Sequence, residues 1–548
     1  MHVPPISLLP PLLLLVVPVF SFERDAQHAL QLQDSDGAGT GTAVLRHYEV
    51  HSAREAEDVM ALAEDNGWDV WHASPTGVDV FFPASASAPP SSPHANISQN
   101  ANQNENAVSQ YTFRDTPYPH SLLHPHSSLE PGTAERPTAA PEEPPWNLTS
   151  LANTTFHAAY HTLGGIHAFV RALAAAYPAQ VRIVRLGHSG EGREMYAVEI
   201  TGAGEQGEGR EGGEEGGGGG DGGEGKKEMG FVVTGAQHAR EWVATAASLY
   251  LTHALVANAS EPGSLAYLLK DYKFYIVPVP NPDGYLYTWE HDRFWYKNRL
   301  DLGPQAKCTG VDMNRNWGYK WKRDAADSAN VDADADDDDD LHDQKGNGEV
   351  ENGSGEVENG NGEVQNTNTN GKVQKGKGKK GKKGKKDRKQ KEDTCSHWYP
   401  GRRAFQAPEV NNMANYFDRL RAVDVFVDLR AYGQMLSTPY SYSCKRSPKD
   451  AEDQLEAAQG ASHAAKKVHG AAFTTGTLCS TLYRAPGNIV DWMYERRGVK
   501  YSFAAHLRDT GTYGFALPEK WIRPVGEETA KMVAYLAEFV AKQAGGKK

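Results

Sequence analysis

The sequence predicts an α/β fold with a mostly parallel central sheet flanked by helices, preceded by a truncated α/β module. Three observations lead there. Short apolar runs at 231–233, 274–279, 425–429 and 501–505 have the unbroken hydrophobicity of strands buried on both faces. Helical patterns alternate with them at 241–256, 409–422 and 527–543; in the last, Met532, Tyr535, Leu536, Phe539 and Val540 recur at three and four residues and define one buried face. Finally, only 39% of the 548 residues are hydrophobic, and the polar excess is concentrated at 85–145 (Pro, Ser, His, Asn), 205–227 (Gly, Glu) and 325–393 (Asp, then Gly/Asn/Glu, then Lys/Gly). Such stretches bury too little apolar surface to offset their ordering entropy, so the chain reads as one large domain rather than the three its length suggests.

Taken in order, residues 1–21 read as a secretory signal peptide: an apolar run spans Ile6 to Phe20, with Val19 and Ser21 in the minus-three and minus-one places of a cleavage site after Ser21. A secreted or vacuolar destination follows. That route would make the four cysteines candidates for two disulfides and would give meaning to the glycosylation sequons at Asn96, Asn147, Asn153, Asn258 and Asn352. No later stretch is long enough to span a membrane. Residues 43–83 have a strand-like start at 44–50, a helical stretch at 53–66 and a closing apolar run at 78–82, half of a module too small to be stable alone. A low-complexity linker, 85–145, leads to the main domain at 146–548, which carries disordered insertions at 205–227 and 325–393.

The formal charge of −13 is segregated into blocks and says little about partners. The run 372–391 has twelve Lys or Arg, but it lacks the aromatic residues that stack on bases, so no nucleic-acid partner is expected; it reads as a solvated tail or loop, with the seven aspartates of 332–340 available to pair with it. A monomer is expected.

Chemistry is concentrated at a few motifs. After the run 231–233 comes Gly235-Ala236-Gln237-His238-Ala239-Arg240-Glu241-Trp242. A His and a Glu three residues apart, where a strand hands over to a helix, can both face one cation, and nitrogen plus carboxylate suits zinc. Alone this pair is common. Downstream stand Pro280-Asn281-Pro282-Asp283-Gly284-Tyr285, Gly310-Val311-Asp312-Met313-Asn314-Arg315-Asn316-Trp317 and Leu507-Arg508-Asp509-Thr510-Gly511-Thr512-Tyr513-Gly514-Phe515. In this order the set resembles the zinc metallocarboxypeptidases of the carboxypeptidase A/B type from about Phe156 to the C-terminus, and 43–83 resembles the first half of that family's inhibitory propeptide.

The resemblance implies a carboxypeptidase-like fold and assigns roles. His238 and Glu241 match the first two zinc ligands, and Asp312 the carboxylate that orients the histidine. Asn314 and Arg315 match the pair that grips the terminal carboxylate of a peptide, Arg240 a secondary substrate arginine, and Tyr483 the mobile tyrosine that closes over the bound terminus. Val490 falls at the base of the side-chain pocket, where an apolar residue favours apolar C-terminal side chains. It also implies the pairings Cys308–Cys395, across the long insertion, and Cys444–Cys479.

Three catalytic positions depart from the family. Arg430 stands where the third zinc-ligating His belongs, His506 where the general-base Glu belongs, and Tyr296 where the oxyanion-stabilising Arg belongs. This resembles the fungal inactive metallocarboxypeptidase-like proteins linked to cell-wall organisation. Two readings stand: a pseudoenzyme that holds peptide or protein C-termini without cleaving them, or a working carboxypeptidase releasing apolar C-terminal residues in which His506 and another group replace the missing parts. For the metal, zinc is expected from the family and weakened or lost here. Arg430 either points inward and pairs with Glu241, or turns away and leaves His238, Glu241 and His506 to rebuild a ligand set.

Overall fold

Burial at every position of β7 (Met229–Thr234), with Phe231, Val232 and Val233 at its centre, places that strand in the middle of a sheet. It pairs in parallel with β8 (Tyr272–Val277) on one side and β9 (Val425–Arg430) on the other, and β9 pairs in parallel with β12 (Tyr501–His506). Around this parallel centre lie β5 (Val181–His188), β6 (Glu194–Ile200), β10 (Met435–Thr438) and β11 (Thr474–Thr477), giving the order β11-β10-β12-β9-β7-β8-β6-β5. The sheet is mixed: β6 runs antiparallel to both β5 and β8, and β10 antiparallel to β12. The computed structural model describes residues 43–83, 111–118, 146–202, 228–323 and 393–545, all within one unit of the chain; a second unit, 330–392, lies outside them. The expected signal peptide, the insertion 205–227, Asn96 and Asn352 also lie outside the described residues.

Helices cover both faces. One core contains α3 (Trp242–Val256), which is buried on nearly every side, and α9 (Ile522–Gly545), with Met532, Leu536 and Val540 on its buried side. The other face is closed by α5 (Pro408–Arg419) and α8 (Ile489–Glu495) around Trp317, Phe417 and Phe426. The remaining helices are α2 (Leu163–Ala176), α4 (Pro282–Glu290), α6 (Ala451–His469) and the single turn α7 (Leu478–Thr481). Both expected disulfides are present, each with Cα atoms 5.0 Å apart. No described helix is long and apolar enough to cross a membrane.

The small N-terminal module is more complete than its sequence suggested. β1 (Ala43–Glu49), α1 (Ala53–Asp65), β2 (Asp69–Ser74) and β3 (Gly77–Phe82) are joined by β4 (Phe113–Tyr118), giving an antiparallel sheet in the order β2-β3-β1-β4. The stretch 85–145 is therefore not linker throughout. β4 is an edge strand with four exposed residues and a proline, so it carries little hydrophobic signal, yet it pairs along the full length of β1. One face of this sheet packs on α1 through Tyr48, Val59, Val78 and Val80; the other sends Leu45, Trp71, Phe81 and Tyr118 into the core of the main domain.

Candidate functional site

The site forms at the carboxyl ends of the parallel strands β7, β9 and β12, where ligands collect in open α/β sheets. Gly235 ends β7 with its Cα so close to a neighbouring backbone that a Cβ would lie 2.1 Å from the Pro278 oxygen; only glycine lets the chain turn there towards His238 and Glu241. Glu241 is the N-cap of α3. His238 Nε2 lies 2.9 Å from Asp312 Oδ1, and Asp312 in turn accepts from the Asn314 amide at 2.8 Å. Burial raises the pKa of Asp312, but His238 and Arg315 outweigh it and hold the group below its ordinary value. The other ring nitrogen, Nδ1, lies 2.9 Å from Glu241 Oε1, so the imidazole stands between two carboxylates.

Nδ1 also faces a guanidinium. Arg430, the last residue of β9, directs Nη2 at His238 Nδ1 (2.5 Å), while Nε and Nη2 donate to Glu241 Oε2 (3.0 Å) and Oε1 (3.1 Å). The Ala431 amide adds a third bond to Glu241, at 3.2 Å. This is the paired geometry in which arginine binds carboxylates most strongly. Of the two orientations open to Arg430, the inward one is adopted. Burial would raise the Glu241 pKa, but Arg430 and His238 override it and hold the carboxyl down to about 2. Burial likewise disfavours the charged form of Arg430, and Glu241 with Asp428 reverses this, keeping the guanidinium charged. Asp428, whose Oδ2 lies 3.5 Å from Arg430 Nη1, was not singled out from the sequence.

His506 stands opposite Arg430 in the register of β12 on β9. Burial, then Arg430, push its pKa down to about 3, so the imidazole is neutral, and its Nδ1 is buried without a hydrogen-bond partner. Tyr296 lays its ring on His238 with centroids 3.7 Å apart. Burial and Asp312 push its phenol well above the ordinary value, so this position offers a neutral hydroxyl rather than a cation.

The residues that the resemblance assigns to a terminal carboxylate lie together. Asn314 is fixed by accepting from the Ile489 amide at 3.1 Å; Arg315 donates to Asn314 O (3.1 Å) and to Tyr483 OH (3.0 Å). Asp312 Oδ2 lies 3.8 Å from Arg315, too far for a hydrogen bond. Arg240 is already engaged. It donates to Asp69 at 2.8 and 2.9 Å and to Val70 O at 3.0 Å, both on β2, which lines the cleft with Trp71 and His72. Asp69, His72 and the nearby His397 are site residues the motifs did not indicate; the likeness of 43–83 to an inhibitory segment was the available signal. Val490, at the start of α8, which Asn488 caps, is fully buried in the apolar cluster that also holds Leu478, and the apolar wall of the cleft includes Leu478, Leu482 and Ala485. The cleft encloses about 70 Å³.

Residues 166–352 and 380–532 match the family model described as zinc carboxypeptidase. The chain belongs to the zinc carboxypeptidase family. A metallocarboxypeptidase A-like protein of Trichophyton verrucosum is 33% identical over 386 residues, covering 70% of this chain and 70% of its own length. An inactive metallocarboxypeptidase of Paracoccidioides brasiliensis is 26% identical over 520 residues, 90% of this chain and 72% of its own. Thrombin-activatable fibrinolysis inhibitor superposes with a TM-score of 0.62 at 24% identity, over 92% of this chain and 100% of its own, which shows the fold. The family is a zinc family, but the residues here do not fit the ion: no three His, Cys, Asp or Glu side chains among the described residues are grouped to hold a metal, and the third donor position is a guanidinium bonded to the other two.

Proposed function

We propose that this carboxypeptidase-family chain is a pseudoenzyme that holds peptide or protein C-termini without cleaving them and without a catalytic zinc. One observation carries the reading: the Arg430 guanidinium is forked onto Glu241 and directed at His238 Nδ1, so both remaining ligand side chains already answer a built-in cation. A dication added there would meet a like charge in a buried site. The other replacements act in the same direction, since losing an oxyanion donor reduces rates by about 10²–10³ and losing general acid–base help by roughly 10²–10⁴. Asn314 and Arg315 remain able to give charge-assisted hydrogen bonds to a terminal carboxylate, and Leu478, Leu482 and Ala485 give an apolar wall. A secretory or vacuolar location and a part in cell-wall organisation belong to this proposal, supported by the leader-like N-terminus and the resemblance to fungal inactive members.

Calorimetry with a peptide acid ending in Leu and its C-terminal amide tests the reading. The acid should bind and the amide should bind far more weakly; equal affinities would remove the carboxylate site. A second reading is favoured by the partnerless His506 Nδ1: if Arg430 swings out, His238, Glu241 and His506 would form a relocated metal set. Elemental analysis of protein purified without chelator separates the two. Stoichiometric zinc that disappears in His506→Ala would establish the relocated set.

A further inference from the structure

Three of the sequons lie in one place on the molecule, far from the cleft. Asn147, Asn153 and Asn258 are all exposed, as are the hydroxyl residues two positions on, Thr149, Thr155 and Ser260. In two of them the side chain adopts the same turn. Asn147 Oδ1 accepts from the amide and hydroxyl of Thr149 (3.1 and 2.9 Å), and Asn258 Oδ1 from the amide and hydroxyl of Ser260 (3.0 and 2.9 Å). The third, Asn153, rests its amide nitrogens on Ser150 Oγ.

One carboxylate gathers these loops into a single platform. Glu261 accepts from Ser150 Oγ (2.6 Å), the Leu151 amide (3.0 Å) and the Ala152 amide (2.9 Å), while its own amide donates to Asn258 O (2.8 Å). From the other side Arg523 on α9 donates to Leu151 O (2.7 Å) and Thr154 O (2.9 Å). The platform therefore sits at the C-terminal end of α3, whose N-cap is Glu241 of the site. Fifteen helical residues at 1.5 Å each place about 22 Å between the two ends.

We infer that Asn147, Asn153 and Asn258 are N-glycosylated and that the three oligosaccharides cover the base of the domain, leaving the cleft open. In each transfer the asparagine Nδ2 forms a bond to the first sugar carbon of a lipid-diphosphate-linked oligosaccharide. The bond from that carbon to the diphosphate oxygen breaks, the lipid diphosphate leaves, and Nδ2 gives up one proton. The transfer occurs on unfolded chain in the secretory lumen, so the fold must supply room afterwards, and exposure of all three side chains supplies it. An Asn carrying the sugar keeps Oδ1 as the acceptor for Thr149 or Ser260, so the turns survive modification.

The inference rests on entry into the secretory route and is independent of the ligand reading. The full chain with its own leader is expressed in a fungal secretory host, and the secreted protein is treated with peptide N-glycosidase in heavy-oxygen water. Labelled aspartate at all three positions is expected, and Asn147→Gln, Asn153→Gln and Asn258→Gln should each remove one glycan from the intact mass. The deglycosylated protein should bind the peptide acid as the untreated protein does. Recovery of any of the three asparagines unmodified in most secreted molecules would overturn the inference, as would a chain that never acquires glycans. A change in peptide affinity on sugar removal would overturn the placement of the glycans away from the cleft. Failure of both treated and untreated protein to bind the peptide would instead count against the ligand reading alone, since the mass measurement does not depend on it.

Discussion

Arg430 changes what Glu241 needs. A carboxylate that is buried and charged requires a cation, and here the guanidinium supplies it from the adjacent strand with near-ideal forked geometry. Removing one partner of such a pair strands the other, so Arg430→Ala should destabilise the protein by about 3–5 kcal/mol in denaturant unfolding. Arg430→Ala combined with Glu241→Gln should recover most of that loss, because the Glu241 charge is then removed and Asp428 keeps its bonds from Thr234 and Gln237. Arg430→His should instead raise zinc affinity in a direct metal titration. Peptides ending in Phe or Leu should show no release of the terminal residue, and His506→Glu alone should restore none, because the guanidinium and Tyr296 stay where they are; turnover by the unmodified protein that Glu241→Ala abolishes would count against the pseudoenzyme reading. His238, Glu241, Asn314 and Arg315 were legible in the sequence because each belongs to a short local motif. The direction of Arg430 was readable only from charge, which favoured the inward pairing with Glu241, since that partner lies 189 residues away and no local motif holds both.

At the level of elements, β2 is the part of the small module that matters to the site. It spends Asp69 and the Val70 carbonyl on Arg240, and burial at Asp69 is overridden by Arg240 and His397, which hold its pKa down to about 2. The cleft beneath, at about 70 Å³, is half of the ~150 Å³ cavity that accepts a benzene ring, so a Phe-sized side chain cannot enter while β2 and Tyr483 hold these positions. Weakening the contact should open the cleft: Asp69→Asn should raise the affinity for a peptide acid ending in Phe and should speed proteolysis of the small module. Unchanged affinity in calorimetry would show that β2 does not compete with the ligand. The central strands β7, β9 and β12 were legible as apolar runs because both their faces are buried. β2 and β4 were not, because Asp-Val-Trp-His-Ala-Ser and Phe-Arg-Asp-Thr-Pro-Tyr mix polar residues that pair across the module's junction with residues left in water.

At the scale of the whole molecule, opposing sets of buried groups determine how stability follows pH. His157 and His253 share a hydrogen bond at 3.2 Å, and His253 Nε2 donates to Leu148 O. Burial lowers both histidines, with the neighbouring imidazole adding to the shift at His157, and burial lowers His506 to about 3. In each case the unfolded chain takes up protons the native state refuses, so stability falls as pH drops below the ordinary histidine value of about 6.5, by up to about 1.4 kcal/mol per pH unit for each group. Asp491 acts in the opposite sense. Burial raises it to about 7 despite hydrogen bonds from the Ser441 and Tyr442 amides, so the native state keeps a proton that the unfolded chain releases above about 4. Between about pH 4 and 6.5 the two effects partly cancel. Below that window Asp491 no longer compensates, while Glu241 and Asp69, both held near 2, add their own losses as pH falls from their unfolded values towards 2. Chemical denaturation across pH should therefore show stability falling from about pH 6.5, with Asp491 softening the decline of the three histidines down to about pH 4 and a steeper decline below it. His157→Phe would remove one titrating group from the buried pair while keeping a ring against Phe169 and Tyr250. The variant should lose stability at pH 7, where the bond to His253 is gone, yet lose less than the parent on going from pH 6.5 to 4.5. A parallel decline in the two proteins would mean that this histidine pair does not contribute to the acid sensitivity.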